Sequence, residues 1–223
     1  MAQDKDRKRV HKEQLYTLFA QVAGAMANPH RLELLDLLVQ APRTVEELAR
    51  EAHMSIANTS QHLQKLKQAR LVMDEREGIY IRYRLADPSI AHLWLDLRAV
   101  AGRQLADVER VLNAYRARRY AFDTISPEEL HAQLQVGEAI LVDVRPQAEY
   151  QAAHLPQAIS IPIDELEERL DELPQDKTIV TYCRGPFCVY ADDALELLVR
   201  RGWTVARLEE GLLEWQLAGY AIE

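Results

Sequence analysis

The two cysteines of this 223-residue chain, Cys183 and Cys188, are separated by four residues and follow directly after the strand-like run TIVTY. They bound a six-residue loop that leads from a buried strand into a helix beginning near Val189. Successive backbone N–H groups in such a loop, together with the helix N-terminus, form a cradle for an anion. A thiol there has a lowered pKa, so we expect Cys183 to be substantially thiolate at neutral pH. In a reducing compartment, two such cysteines are more often reactive or metal-binding than disulfide-bonded.

The elements around this loop alternate between strands and helices. Strands are predicted at AILVDVR, AISIP, TIVTY and WTVARLE, and helices at PQAEYQAAH, IDELEERLDEL, VYADDALELLVRRG and GLLEWQLAG. Short apolar strands between helices are typical of a parallel sheet covered on both faces. Catalytic loops of such sheets lie beyond the carboxyl ends of the strands, which is where the pattern places Cys183.

Almost all of residues 122–223 resembles the rhodanese (sulfurtransferase) domain, through ILVDVRPQAEYQAAHLPQAISIP, IVTYCRGPF and LEEGLLEWQLAG. The resemblance implies that Cys183 takes a sulfane sulfur from a donor, holds it as a persulfide and passes it to a thiophilic acceptor. It also places Asp143 and Arg145 near the site. Many rhodaneses have a glycine three residues after the cysteine and a cation five after it, where this chain has Pro186 and Cys188. Arg184 is then the loop's remaining cation, and we expect inefficient turnover of anionic thiosulfate.

A second thiol close to a persulfide changes its chemistry, because that thiol can resolve the persulfide into a disulfide or polysulfide bridge. We therefore interpret the pair as a switch in which Cys183 attacks first and Cys188 resolves. The alternative is that Cys188 is a small buried side chain without a chemical role, since the spacing leaves its direction open.

The other half of the chain has a different charge. Residues 1–120 contain 20 Lys and Arg against 15 Asp and Glu, a net charge of +5, and the remainder carries −13 of the total −8. A basic half beside an acidic one is consistent with nucleic-acid contact by the first half. Apolar residues at helical spacing in residues 14–27 predict an amphipathic helix with one apolar stripe: Leu15, Leu18, Phe19, Val22, Ala23 and Met26.

A helix–turn–helix pattern follows. HRLELLDLLVQ is predicted as a helix, and Thr44 with Glu47 forms a capping box that starts the next. Ser55 caps a further helix to about Ala69, whose inward face is predicted to be Ile56, Thr59, Leu63 and Leu66. Its outward face carries polar side chains suited to base edges and phosphates, unless it is an ordinary solvated face: Ser55, Ala57, Asn58, Ser60, Gln61, His62, Gln64 and Lys65.

Two strand-like runs, 71–74 and 79–85, are joined through a Glu-Gly turn and predict a wing. Arg76, Tyr80 and Arg82 are the wing residues expected to reach the phosphate backbone or minor groove.

This first part resembles the ArsR family of winged-helix repressors along NPHRLELLDLLVQAPRTVEELAREAHMSIANTSQHLQKLKQARLVMDEREGIYIRYRL. The resemblance implies a homodimer, with helices of residues 14–27 and about 89–118 at its surface, that presents residues 55–66 of each protomer to operator DNA. Many relatives sense metal through a cysteine pair in the helix that here reads LELLDLL, but this half contains no cysteine. His92 and Asp96 match only part of a second known metal site, and the other histidines of this half form no i, i+4 pair, so we assign no metal and no cofactor.

Together these patterns predict a multi-domain chain: a mainly-α winged helix-turn-helix domain at residues 1–118, then an α/β rhodanese domain with a parallel sheet at residues 122–223. Ser126 and Glu129 start the first helix after a boundary near residue 121. We expect a cytoplasmic, dimeric repressor whose operator binding responds to sulfane-sulfur or redox modification of its thiols. We expect a small sulfur donor or acceptor as its partner, and no association with a membrane. The alternatives are a rhodanese-type sulfurtransferase acting through a Cys183 persulfide, with an autoregulatory DNA-binding domain, and a repressor that responds to arsenite or a soft metal.

Overall fold

The computed structural model describes residues 2–116 and 122–223, with side chains described for residues 7–115 and 122–223. The chain divides into two compact units, Met1–Val100 and Ala101–Glu223. This division lies within a helix, whereas the boundary that we predict near residue 121 lies outside the described residues.

The first unit is a helical domain with a small antiparallel sheet. Its elements up to the wing are α1 (Ala2–Met26), α2 (Pro29–Gln40), β1 (Arg43–Thr44), α3 (Val45–Glu51), α4 (Ile56–Gln68), β2 (Val72–Glu77) and β3 (Tyr80–Leu85). The α2 helix is capped by Asn28, whose side chain accepts the Arg31 N–H at 3.2 Å. The predicted capping box of Thr44 and Glu47 starts α3.

Leucine side chains from three helices form the core of this unit. Leu34, Leu35, Leu48, Leu63 and Leu66 are fully buried together. Their burial sets the orientation of α4 relative to α2 and α3, and so determines which side chains α4 presents to solvent.

The wing is the hairpin of β2 and β3, with β1 on the other side of β3. Its antiparallel register runs from Val72 opposite Leu85 to Glu77 opposite Tyr80, and Gly78 takes the left-handed conformation (φ +64°) that the tight turn requires. Ile81 of β3 is 51% exposed because the hairpin tip extends past the core.

The predicted stripe of α1 is mostly uncovered within the unit. Leu15, Leu18 and Phe19 are 50–62% exposed, whereas Val22 and Met26 pack on the core. The exposed apolar side chains therefore form a surface that the single chain leaves open.

After the wing, the structure has two helices where the sequence predicts one over about residues 89–118. They are α5 (Ser89–Gln104) and α6 (Ala106–Arg116), and the interruption is at Leu105, where the Val108 N–H bonds the Leu105 carbonyl at 2.9 Å in a tighter i→i+3 turn. Trp94 of α5 donates its indole N–H to Asp36 of α2 at 2.7 Å. Residues 117–118 lie outside the described part.

The second unit contains a five-stranded parallel sheet in the order β4-β8-β7-β5-β6. The strands are β4 (Thr124–Ile125), β5 (Ala139–Asp143), β6 (Ile159–Ser160), β7 (Thr178–Tyr182) and β8 (Val205–Leu208). The α-helices that follow α6 in this unit are α7 (Pro127–Val136), α8 (Gln147–Ala152), α9 (Tyr190–Arg200) and α10 (Leu212–Leu217). Ser126 and Glu129 form the predicted capping box of α7. Ile179 and Val180 of β7 belong to different core clusters, as expected when successive side chains point to opposite faces of a covered sheet. This is the predicted fold class: a winged helix-turn-helix domain, then an α/β domain with a parallel sheet.

One predicted helix of this unit is wrong. The segment IDELEERLDEL forms consecutive turns and a short 3₁₀ helix at Leu170–Glu172. Leu166, Leu170 and Leu173 are buried at helical spacing, but the backbone N–H groups of Glu168 and Arg169 bond three residues back rather than four. The apolar spacing is therefore satisfied by a tighter backbone.

Within the described ranges, no helix is both long and apolar enough to cross a membrane.

Candidate functional site

The α4 helix presents the predicted recognition face. Ser55 caps the helix by accepting the Asn58 N–H at 3.3 Å. Thr59, Leu63 and Leu66 are fully buried, but Ile56, predicted to face inward, is 52% exposed in the first turn. The predicted contact residues of this helix are exposed or half-buried on one side of it: Ser55, Ala57, Asn58, Ser60, Gln61, His62, Gln64 and Lys65.

The wing residues are held by local bonds. Arg76 donates its Nε–H to the Gly78 carbonyl at 3.1 Å, and Tyr80 is exposed near the same turn. Arg82 lies 2.7 Å from Glu77 and donates to the Pro42 carbonyl at 3.3 Å, so its guanidinium must exchange this carboxylate for a phosphate to contact DNA.

The structure also brings together two histidines that are far apart in the sequence. The rings of His30, at the start of α2, and His62, on α4, have centroids 5.4 Å apart. Partial burial lowers the pKa of His62, and the neighbouring charges of His30 and Arg31 lower it further. Sequence reasoning missed this pair because it compared only i, i+4 spacings within one helix.

The cysteine loop leaves the carboxyl end of β7, the central strand. Cys183 is buried (2% exposed), Cys188 is half-buried, and both thiols are free. The two thiols hydrogen-bond to each other, and the Cys183 thiol also lies 3.9 Å from the Gly185 carbonyl. The backbone N–H groups of Arg184 and Tyr190 point to the Cys188 sulfur, and that of Ala191 points to Cys183. The loop and the start of α9 thus form the predicted N–H cradle.

Ionisation within the pair differs from our expectation. Complete burial raises the pKa of Cys183, which we expected to be lowered, and its hydrogen bond with Cys188 adds to the shift. The same hydrogen bond lowers the pKa of Cys188 to about 7, helped by the two backbone N–H groups and by Arg184. The pair therefore carries its first negative charge on Cys188.

Arg184, the predicted loop cation, is already paired. Its Nε lies 3.0 and 3.1 Å from the two carboxylate oxygens of Glu149, which is fully buried on α8, and its guanidinium lies over the Tyr190 ring at 5.2 Å. Glu149 therefore neutralises this cation beside the cysteines.

A second buried arginine, which no sequence motif marks, contacts the carbonyl oxygens of the loop. Arg207 of β8 pairs with Asp192 of α9 at 2.7 Å. Its other nitrogen reaches the carbonyl oxygens of Gly185, Pro186 and Cys188 at 3.5, 3.4 and 3.2 Å. These bonds orient the three loop carbonyls toward the Arg207 guanidinium. The backbone N–H groups of the loop can then point toward the two sulfur atoms. Only the packing of β8 beside β7 places Arg207 here.

Asp143 and Arg145 form a buried network with Tyr182, the residue that precedes Cys183. The Arg145 guanidinium donates to both Asp143 oxygens, at 3.0 Å from Nε and 2.6 Å from Nη2. The Tyr182 hydroxyl donates to Asp143 and accepts the Leu155 N–H at 3.1 Å. Because Asp143 and Tyr182 are partners in the sheet register, this network joins the ends of β5 and β7 directly beside Cys183.

Gly211, at the start of α10, packs against the same loop. A Cβ on this residue would lie 2.6–2.7 Å from the Arg184 carbonyl group and the Gly185 nitrogen. The loop can therefore adopt this position only because residue 211 has no side chain.

The arrangement suits nucleophilic sulfur chemistry. A thiolate formed near neutral pH, a neighbouring thiol proton and converging N–H groups can together accept a sulfane sulfur and stabilise the resulting anion. Across the described ranges, no cluster of three or more His, Cys, Asp or Glu side chains is placed to hold a metal ion.

Comparison with known proteins identifies a matching family for each of the two units. The rhodanese-like domain family matches residues 126–218, and the family described as bacterial regulatory protein, arsR family, matches residues 28–74. The HTH-type transcriptional regulator Rv0324 of Mycobacterium tuberculosis is 44% identical over 223 residues, which is 100% of this chain and 96% of that protein.

Shorter matches cover each half. A sulfurtransferase of Allochromatium vinosum is 31% identical over 44% of this chain and 92% of its own length. A homodimeric winged helix-turn-helix DNA-binding domain of Mycobacterium bovis, solved by NMR, is 39% identical over 42% of this chain and 87% of that one, with a TM-score of 0.41.

The match to Rv0324 extends over the winged helix-turn-helix and the cysteine-bearing α/β domain alike. The chain therefore belongs to the ArsR-family transcriptional regulators that carry a C-terminal rhodanese-like domain.

Proposed function

We propose that this regulator is an operator-binding repressor whose DNA affinity responds to sulfane-sulfur or redox modification of Cys183 and Cys188. The observation that carries the proposal is the hydrogen-bonded thiol pair in the N–H cradle at the end of β7, with Cys188 ionising near neutral pH. These are the chain's only cysteines, so a thiol signal must originate in the rhodanese-like domain, which we assign to residues 122–223.

The ionisation of the pair revises the order of attack. The Cys188 thiolate attacks the outer sulfur of a hydropersulfide R–S–SH, the S–S bond breaks, and R–S⁻ leaves and takes up a proton from solvent. The product is a hydropersulfide on Cys188. The Cys183 thiol then displaces hydrogen sulfide from it and forms the Cys183–Cys188 disulfide, so that the donor's sulfane sulfur has oxidised the pair.

The remaining site residues act on this loop or on DNA. In our proposal Arg184 stabilises the anionic pair, and Asp143 and Arg145 hold the strand ends that position Cys183. The α4 face and the wing residues Arg76, Tyr80 and Arg82 contact the operator, in a domain that we assign to residues 1–118.

The proposal includes a homodimer, since the exposed apolar stripe of α1 needs a partner surface and a dimer presents two α4 helices to two half-sites. Modification changes DNA affinity only if the reduced and modified forms favour different states of the whole protein.

The test is operator binding by fluorescence anisotropy at a fixed salt concentration, with a duplex selected from a random library by the reduced protein. Reduced and polysulfide-treated proteins are compared, and intact-mass spectra identify the modification. We expect an affinity change of at least tenfold, about 1.4 kcal/mol, which Cys183→Ser and Cys188→Ser abolish. Unchanged affinity in a protein with a confirmed persulfide or disulfide would overturn the proposal.

A second candidate function is sulfur transfer itself, favoured by the match of residues 126–218 to the rhodanese-like family. In this case a persulfide, on Cys183 as in rhodaneses or on Cys188, passes its outer sulfur to cyanide and regenerates the thiolate, with thiocyanate as product. Steady thiocyanate formation by the wild-type protein, lost in both cysteine variants, supports this activity. A single turnover followed by disulfide accumulation supports sensing.

A further inference from the structure

We propose that His30 and His62 form a phosphate-binding pair at the edge of the recognition helix, and that the pair takes up protons when the protein binds DNA. The inference rests on the proposed operator-binding role of α4 and adds His30, on α2, to that surface. It predicts that operator affinity depends on pH independently of the cysteines.

The geometry comes from two helices that the core locks together. His62 lies on the face of α4 that carries Gln61 and Lys65, and His30 is exposed at the first turn of α2. A centroid separation of 5.4 Å with the planes tilted by 46° leaves both rings near enough to donate N–H groups to oxygens of one phosphate. The fully buried Leu34, Leu35, Leu63 and Leu66 hold the two helices in this relation.

The charges that act on His62 are positive. His30 and Arg31 are the charged groups that act on His62 from α2, and Lys65 lies one turn along α4. Arg31 itself donates to the Ala25 and Gly24 carbonyls at the end of α1, so its guanidinium is fixed near the pair. No carboxylate among the described side chains is a cause of the His62 shift.

Two imidazolium ions this close repel each other in the free protein, and partial burial adds to the cost of charging His62. A phosphodiester group at the edges of both rings reverses this balance, because each imidazolium then donates a charge-assisted hydrogen bond. Histidine is the side chain whose ordinary pKa makes such an exchange possible near neutral pH.

The sign of the pH dependence follows from linkage. DNA raises the histidine pKa values, so the complex holds more protons than the free protein and affinity rises as pH falls. The gain appears as pH falls through the pKa values of the complex, and for His62 it is complete below the lowered pKa of the free protein. Within this window, each proton taken up contributes up to one unit of log K per pH unit.

The test measures anisotropy of the selected duplex with reduced full-length protein at pH 6, 7 and 8, at constant ionic strength and with a metal chelator present. We expect the wild-type protein to bind at least tenfold more tightly at pH 6 than at pH 8. His30→Gln leaves the α4 face intact and should flatten this profile. His62→Gln should flatten it too, and the double variant should flatten it no further.

The matched control is His92→Gln, an exposed histidine on α5 that should retain the wild-type pH profile. A wild-type affinity that does not change with pH would overturn the inference and leave operator binding standing, as would a His30→Gln profile equal to that of wild type. Failure to bind any duplex at all three pH values would overturn operator binding as well.

Discussion

At the scale of single residues, Cys188 is expected to be the more reactive thiol. Its pKa of about 7 results chiefly from the hydrogen bond with Cys183. The rate of alkylation at Cys188 by iodoacetamide, mapped by mass spectrometry, should therefore rise with pH to a plateau, with a midpoint near pH 7. Cys183→Ala removes the donated hydrogen bond and should shift the midpoint upward by about one unit or more, since one charge-assisted bond contributes about 1.5–3 kcal/mol. Faster alkylation of Cys183 in the wild-type protein would contradict this order.

Glu149 should control which sulfur donors react. It is fully buried and neutralises Arg184 next to the cysteines, so a dianion such as thiosulfate gains little from the loop's cation. In Glu149→Gln the guanidinium keeps its charge and loses its bonds to this carboxylate, and persulfide formation from thiosulfate should accelerate about tenfold, equivalent to about 1.4 kcal/mol. The measurement is the rate of mass gain of about 32 Da on the loop peptide, a shift that follows from adding one sulfur atom.

The control for that experiment is Asp192→Asn, which removes the carboxylate partner of Arg207, a guanidinium that bonds the loop carbonyls and acts on Cys183 only through its charge. It should not accelerate the thiosulfate reaction. Equal acceleration in both variants would show that general net charge, rather than Arg184, sets donor choice.

These residues also show where sequence reasoning reaches its limit. Cys183, Asp143 and Arg145 stand in motifs of a few residues, and the sequence places them at strand ends, where the structure has them. Glu149, Arg207 and His30 gain their roles from partners 35, 15 and 32 positions away, which only packing selects. The Cys183 pKa was predicted in the wrong direction because the loop's N–H groups were visible in the sequence and the burial was not.

At the scale of elements, the contact between α10 and the cysteine loop can be tested with one methyl group. Gly211→Ala places a Cβ on the Arg184–Gly185 peptide, and the loop must move. Overpacking of this kind costs about 1–3 kcal/mol, and moving the Arg184 N–H away from Cys188 should raise its alkylation midpoint. Thermal unfolding and the alkylation profile measure the two effects.

Gly24→Ala on α1 is the comparison. Nothing lies within 4 Å of its added Cβ, and alanine favours a helix interior by about 0.5–1 kcal/mol. It should leave the Cys188 midpoint unchanged and the chain no less stable. If Gly211→Ala behaves in the same way, the close packing of α10 does not position the loop.

Element boundaries were predictable where the signal is local. The capping boxes at Thr44 and Ser126 start α3 and α7 as predicted, because cap and partner lie three residues apart. The segment around Leu166 and Leu170 was misread because turns and 3₁₀ backbone can bury the same apolar spacing as an α-helix. The break at Leu105 has no proline to mark it, and the nearby Gly102 is not by itself a helix end, since it lies within α5.

At the scale of the whole molecule, the exposed stripe of α1 predicts the oligomeric state. Phe19 and Leu18 are 62% and 56% exposed on a helix whose inner residues pack on the core. Phe19→Glu places a charge within this stripe and should convert the proposed dimer to a monomer at micromolar concentration, as measured by light scattering after size exclusion. A monomer presents one α4 helix instead of two, so operator affinity should fall by at least 100-fold, about 2.7 kcal/mol.

Val136→Glu adds the same charge at an isolated exposed site on α7 and should change neither property. A Phe19→Glu protein that stays dimeric and binds DNA normally would show that another surface forms the dimer, and the apolar stripe of α1 would then require a different partner.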